Sequence, residues 1–74
     1  MRYNYELVKK TRKKHGLTQG DVATKTGLNR VYISAIENGK VLPSIGTLCK
    51  VAFAIGVSVN SFIEDADNTA AKNT

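Results

Sequence analysis

The chain has 74 residues, a formal net charge of +5, a pI near 9.6 and a single cysteine, Cys49. This length suits one small domain, and a lone cysteine excludes an intrachain disulfide scaffold. The longest apolar run is too short to span a membrane, and the N-terminus lacks the apolar region of a signal peptide. The sequence therefore predicts a soluble cytoplasmic protein with no membrane partner.

Helical periodicity divides the chain into five predicted helices, at 3–15, 19–26, 30–38, 45–55 and 59–65. The first four end at glycines, where a left-handed residue can terminate a helix: Gly16, Gly27, Gly39 and Gly56. The later four begin at capping residues: Thr18, Asn29, Ser44 and Ser58. These signals predict a compact all-α domain of five helices over residues 1–65. We expect the polar tail at 66–74 to be disordered because it lacks apolar anchors.

The second and third predicted helices are joined by a very short turn within QGDVATKTGLNRVYISAIEN, residues 19–38. Helices so connected must cross steeply, which requires a small residue at their contact and a positive φ in the turn. Ala23 and Gly27 meet these needs, while Ile33 and Ile36 supply apolar contacts one turn apart. The pattern predicts a helix-turn-helix, a motif that places its second helix in the DNA major groove.

Positive charge is concentrated in the first two-thirds of the chain. Residues 1–50 hold ten lysines and arginines against three carboxylates, and residues 51–74 hold one lysine against three carboxylates. The two parts therefore carry +7 and −2. This asymmetry indicates a polyanionic partner. The run KKTRKK, taken alone, is equally consistent with a solvated helix face.

The segments LVKKTRKKHGLTQGDVATKTGLNRVYISAIENGK and PSIGTLCKVAFAIGVSVNSFIE resemble the Cro and phage-repressor (xenobiotic response element) type helix-turn-helix family of bacterial regulators. The resemblance covers about residues 6–64 and implies a fold like that of the lambda repressor. GLTQ, YISAIENGK and the AIGVS segment are its most specific parts. NRVYIS looks like the restriction–modification controller proteins, while phage and plasmid repressors and antitoxin-like proteins have the same minimal build.

The resemblance implies roles for individual residues. Four would read DNA bases from the third helix: Arg30, Val31, Ser34 and Ala35. Four would bind DNA phosphates: Gln19, Tyr32, Asn38 and Lys40. Arg12 and Glu37 would form a structural ion pair between the first and third helices. Alternatives remain open, because Arg30 and Gln19 could be plain surface residues and the Tyr32 ring could pack on a neighbouring helix.

Phe53 falls on the side of the fourth helix away from Leu48, Ala52 and Ile55, which we expect in the core. An apolar side chain outside a small domain often marks a partner surface. We therefore expect a homodimer interface that comprises Phe53, Val57, Val59 and Ile63. The alternative is that Phe53 is covered by the tail of its own chain.

Two functions are consistent with the sequence. The first is a homodimeric, sequence-specific transcriptional regulator, more often a repressor, that binds double-stranded DNA at a pseudo-palindromic operator. The second is a helical adaptor or antitoxin-like module that has lost specific DNA binding. A lone His15 and a lone Cys49 form no metal-binding pattern, and no nucleophile–base constellation or nucleotide-binding loop is recognisable. We therefore expect no enzymatic activity, no cofactor and no small-molecule ligand.

Overall fold

The computed structural model describes residues 2–63 of the chain. It contains four α-helices, namely α1 (Tyr5–Lys14), α2 (Gln19–Thr26), α3 (Arg30–Glu37) and α4 (Ile45–Ile55), followed by a 3-10 helix at Val59–Phe62. The all-α class is confirmed for the described part, but the predicted count of five helices is wrong. Residues 1, 64 and 65 of the predicted domain, and the predicted tail at 66–74, lie outside the described residues. Within the described range, no helix is both long and apolar enough to cross a membrane.

The fifth predicted helix is a single 3-10 turn because Ile63, the residue after that turn, pairs with Tyr3 in the N-terminal segment. Ser58 caps the turn, and Phe62 is fully buried at its end. Ile63 is already extended and forms an isolated antiparallel bridge with Tyr3. An extended backbone at Ile63 cannot continue the helical hydrogen bonds, so the element stops after one turn.

The same bridge explains why α1 begins at Tyr5, two residues later than predicted. The backbone N–H of Asn4 donates to the Phe62 carbonyl at 2.7 Å, which holds this N-terminal segment against the 3-10 helix. The Asn4 side chain then caps α1 by accepting from the N–H groups of Glu6 and Leu7 at 3.1 and 3.2 Å. A residue used as a cap lies outside the helical backbone, so α1 cannot extend further back.

The four predicted caps are confirmed. Each of Thr18, Asn29, Ser44 and Ser58 accepts a backbone N–H from the first turn of its helix. At α2 the capping box is complete, because the Asp21 carboxylate also accepts the Thr18 N–H at 2.8 Å. Gly27 in the turn between α2 and α3 has φ +77°. These local features fix where α2 and α3 begin and how closely they follow each other.

The core lies between all the helices, with α2 packed on both α3 and α4. Its fully buried large side chains are Phe62, Ile33, Ile36, Leu48, Val8, Val22 and Val51. Because α3 and α4 each turn one face to this core, each leaves an opposite face available at the surface. Those two outer faces contain several of the residues for which the sequence predicts a function, including Arg30 and Val31 on α3 and Phe53 on α4.

Candidate nucleic-acid interface

The inner and outer faces of α3 differ sharply. Ile33 and Ile36 are each only 1% exposed, whereas Val31 is 76% exposed and Arg30 is also at the surface. The Asn29 side chain caps the helix by accepting the Val31 N–H at 2.7 Å. The cap therefore holds Arg30 and Val31 in the first turn of a helix whose other side is anchored in the core.

The exposed start of α3 lies beside the start of α2. Gln19, Arg30, Val31 and Ser34 line one shallow depression between the two helices. Three of the four predicted base-reading residues are thus brought together with Gln19. Ala35 is half-buried and does not line this depression.

A buried ion pair joins α1 to α3. Arg12 donates from Nε to Glu37 Oε2 at 2.7 Å and from Nη2 to Glu37 Oε1 at 3.0 Å, so the contact is bidentate. The Arg12 side chain is 7% exposed and that of Glu37 is 1% exposed. Arg12 Nη1 donates to the Leu17 carbonyl at 2.7 Å, in the segment between α1 and α2. The Arg12 guanidinium therefore links the segment that precedes α2 to Glu37, the last residue of α3.

Gln19 joins the same network. Its Nε2 donates to Glu37 Oε1 at 3.1 Å, which links the first residue of α2 to the last residue of α3. An amide nitrogen carries two hydrogens, so this bond leaves Gln19 a second donor. The side chain is held in place by Glu37 while still lining the surface depression next to Arg30.

The other predicted phosphate-binding residues have different surroundings. Asn38 and Lys40 are exposed at the end of α3, and Asn38 Nδ2 donates to the Ser34 carbonyl at 2.9 Å. The Lys40 N–H bonds back to the Ala35 carbonyl at 3.0 Å, so the chain turns tightly there. Tyr32 is half-buried and packs against the core, so it is set apart from the exposed side chains of Arg30 and Val31.

Residues 8–62 match the helix-turn-helix family HTH_3. The chain belongs to this family. It is 43% identical over 54 residues to the ImmF control region 10 kDa protein of Bacillus phage phi105, an alignment that covers 73% of this chain and 60% of that protein. The chain therefore spans less than two-thirds of the length of this relative.

Two solved structures share the HTH_3 fold. The restriction–modification controller protein C.AhdI from Aeromonas hydrophila aligns with a TM-score of 0.74 at 26% identity, over 77% of this chain and 86% of that chain. SinR, a master regulator for biofilm formation solved in complex with DNA, aligns with a TM-score of 0.71 at 34% identity, over 77% of this chain and 95% of that chain. The predicted helix-turn-helix family is confirmed. These relatives are control and regulatory proteins, in agreement with the expectation that the chain is not an enzyme.

Two tyrosines brace the end of α3 in this HTH_3 domain, a feature that the sequence did not predict. The Tyr3 hydroxyl lies 2.8 Å from the Ile36 carbonyl and 2.9 Å from the Val41 carbonyl, and donates toward both. The Tyr5 ring lies against Gly39, where an added Cβ would approach the ring carbons to 2.7–2.9 Å. The only hint in the sequence is the spacing of the two tyrosines around Asn4, because the contacts themselves join residues far apart in the chain.

Two ionisable groups near this site have shifted pKa values. Burial raises the pKa of the Tyr3 phenol above its ordinary value of 10.0, with smaller contributions from Tyr32 and Tyr5. The backbone hydrogen bond from Thr18 lowers the pKa of the Asp21 carboxyl below its ordinary value of 3.8. The first shift favours the neutral phenol that donates to the loop after α3, and the second favours the charged carboxylate in the capping box.

The outer face of α4 exposes a stripe of apolar side chains beside Lys50. Phe53 is 87% exposed and Ile45 is 51% exposed, and Cys49 lies between them at helical spacing. The thiol of Cys49 is free and exposed. The other three predicted interface residues are half-buried and pack against the core: Val57, Val59 and Ile63. Among the described residues, no cluster of histidine, cysteine and acidic side chains is suited to bind a metal.

Proposed function

We propose that this chain is a sequence-specific transcriptional regulator that binds double-stranded DNA as a homodimer and acts chiefly as a repressor. One observation carries the proposal. The start of α3 presents Arg30, Val31 and Ser34 outward, beside Gln19 at the start of α2, while the opposite face of α3 is sealed in the core. A rigid helix with an exposed, mixed polar and apolar stripe is suited to enter the major groove.

The chemistry of the stripe fits base recognition. Arg30 can donate two hydrogen bonds to guanine O6 and N7, and the exposed Val31 can pack on the methyl group of thymine. Ser34 lies one turn further along the same stripe, and its hydroxyl can donate or accept. Ala35 lies half-buried beside the stripe and would offer its methyl group for apolar contact with a base edge.

Phosphate contacts would hold this stripe of α3 in a fixed position relative to the DNA bases. Gln19 can use its second amide hydrogen for a phosphate while Glu37 fixes its orientation. Asn38 and Lys40 lie at the other end of α3, where the chain turns away. Tyr32 is assigned a lesser part, through its hydroxyl alone, since its ring packs inward.

The exposed face of α4 is the proposed homodimer interface. Ile45, Cys49 and Phe53 form a stripe at intervals of four residues, and Leu42 is also exposed just before the helix. Val57, Val59 and Ile63 would contribute the parts of their side chains that the core leaves uncovered. Two copies joined across a two-fold axis would present two α3 helices about one DNA turn apart, which suits a pseudo-palindromic operator. Occupation of promoter DNA by such a dimer would exclude polymerase, hence repression.

The proposal is tested by selection from a random duplex library, followed by fluorescence anisotropy with wild type and Arg30→Ala. We expect wild type to select a two-fold symmetric site containing guanine. Arg30→Ala should lose about 1–3 kcal/mol of binding free energy, mainly at that guanine. Lys14→Ala removes a charge from the exposed end of α1 and serves as the control, with an unchanged base preference.

The apolar face of α4 also favours a second candidate, a protein-binding adaptor that does not read DNA. The two functions differ in salt dependence. For a DNA-binding regulator, a plot of log binding constant against log salt concentration should have a slope of about −0.9 for each phosphate neutralised. Apolar association with a protein should respond little to salt. If wild type selects no sequence from the library and Arg30→Ala behaves like wild type, the adaptor function replaces the regulator.

A further inference from the structure

A basic groove runs between α1 and the end of α3, outside the residues assigned above to base reading. Three lysines line it together with an aromatic ring, two carboxylates and one amide: Lys9, Lys10 and Lys13, with Tyr5, Glu6, Glu37 and Asn38. Tyr5, Lys9 and Lys13 recur at intervals of four residues and therefore share one side of α1. These lysines belong to the KKTRKK run, which by sequence alone is equally consistent with a solvated face.

The groove carries an excess of positive charge. Lys9, Lys10 and Lys13 are exposed, whereas the charge of Glu37 is already compensated by its bidentate pair with Arg12. Glu6 is the one exposed carboxylate among the residues that line the groove. Three ammonium groups therefore face one available carboxylate, and the groove favours an anionic ligand.

Asn38 places this groove next to the exposed stripe of α3 that is proposed to read bases, namely Arg30, Val31 and Ser34. Its side chain donates to the Ser34 carbonyl, and Ser34 lines the depression that contains Arg30. The helical rise puts Asn38 about 12 Å along the axis from Arg30, a distance similar to the width of the major groove, about 12 Å. If Arg30 reads a base, the end of α3 therefore reaches the sugar–phosphate strand that bounds the groove.

We propose that Lys9, Lys10 and Lys13 form a second phosphate-binding surface that grips the DNA backbone flanking the bases read by α3. The inference rests on the proposed function and adds an affinity determinant that is independent of sequence. Lysine suits this role because its flexible stem and compact charge follow a phosphate without requiring one fixed geometry. Tyr5, with its ring against Gly39, keeps this part of α1 close to the end of α3.

The test compares Lys9→Gln/Lys13→Gln with Lys14→Gln/Lys25→Gln, which removes the same charge from exposed positions outside the groove. Anisotropy titrations over a series of salt concentrations use the duplex that wild type selects. We expect the groove variant to show a log–log salt slope that is shallower by about 1.8, since each lost contact removes about 0.9. The control variant should retain the slope of wild type, and both should unfold thermally near the wild-type temperature.

A second measurement uses duplexes trimmed at both ends up to the selected bases. Trimming should weaken wild type toward the affinity of the groove variant while leaving the groove variant almost unaffected. The inference would be overturned if the groove variant had the same salt slope as wild type. It would also be overturned if the two double variants lost the same amount of DNA affinity. Base preference separates this failure from failure of the proposed function: a preserved symmetric motif with unchanged slopes rejects only the lysine surface.

Discussion

Gln19 and Glu37 are the first residue of α2 and the last residue of α3, and a 3.1 Å hydrogen bond joins them. Both carboxylate oxygens of Glu37 also accept hydrogen bonds from Arg12. The carboxylate therefore connects α1, α2 and α3 at a position directly beneath the proposed DNA-binding surface. Anything that disturbs it should affect both the stability of the domain and the placement of Gln19.

Removal of one partner of the buried pair should strongly destabilise the domain. Glu37→Gln leaves the Arg12 guanidinium buried without a counter-charge, which typically costs about 3–5 kcal/mol of unfolding free energy. Urea denaturation followed by circular dichroism measures the loss. The double variant Arg12→Met/Glu37→Gln should be less destabilised than the sum of its single variants, because no unpaired charge remains. A simple sum would show that the two side chains do not depend on each other.

Comparison of alanine substitutions at Gly39 and Gly27 isolates the effect of the Tyr5 contact on stability. Both have positive φ, +70° and +77°, but only Gly39 lies against another side chain. Alanine at Gly27 should cost about 1–2 kcal/mol for the left-handed backbone. Alanine at Gly39 should cost more, because its Cβ would displace the Tyr5 ring, and thermal unfolding monitors both. In a Tyr5→Ala background the two substitutions should cost the same, and a difference that persists there would assign the excess to the backbone instead.

The Asp21 capping box should give a specific loss of stability in acid. Since the pKa of the Asp21 carboxyl is lowered on folding, the unfolded chain binds the proton first as pH falls. The stabilisation is therefore present above the ordinary pKa of 3.8 and disappears as pH falls through the lower folded value. Unfolding free energies measured from about pH 5 downward should fall more steeply for wild type than for Asp21→Asn. Parallel curves would mean that Asp21 titrates alike in both states.

Phe53 should control dimerisation without affecting the fold of the protomer. Phe53→Ser removes the most exposed apolar ring of the α4 stripe, and we expect sedimentation equilibrium without DNA to show a weaker dimer. Val31→Ser removes another exposed apolar side chain, from α3, and is the control. It should leave the dimer unchanged. A wild-type chain that stays monomeric at all concentrations, or equal weakening by both substitutions, would contradict the interface on α4.

The sequence by itself determined the features that depend on neighbouring residues. Thr18 and Asn29 cap helices that begin at the next residue, and Gly27 supplies the left-handed turn between them, so local hydrogen bonding is sufficient to fix α2 and α3. The exposed position of Phe53 likewise follows from its spacing to Leu48 and Ala52. The families of regulators that share these motifs could be named from the same residues.

The tertiary structure decided the contacts between distant parts of the chain that no local pattern or family resemblance indicated. Ile63 leaves its helix to pair with Tyr3, so the fifth element is a 3-10 turn and α1 starts late. The Tyr3 hydroxyl bonds to the Ile36 carbonyl in α3 and to the Val41 carbonyl in the loop that follows. The lysines of α1 line one groove together with Asn38. Periodicity cannot predict such contacts, because they depend on how the packed core orients whole helices relative to one another and not on the residues beside them in sequence.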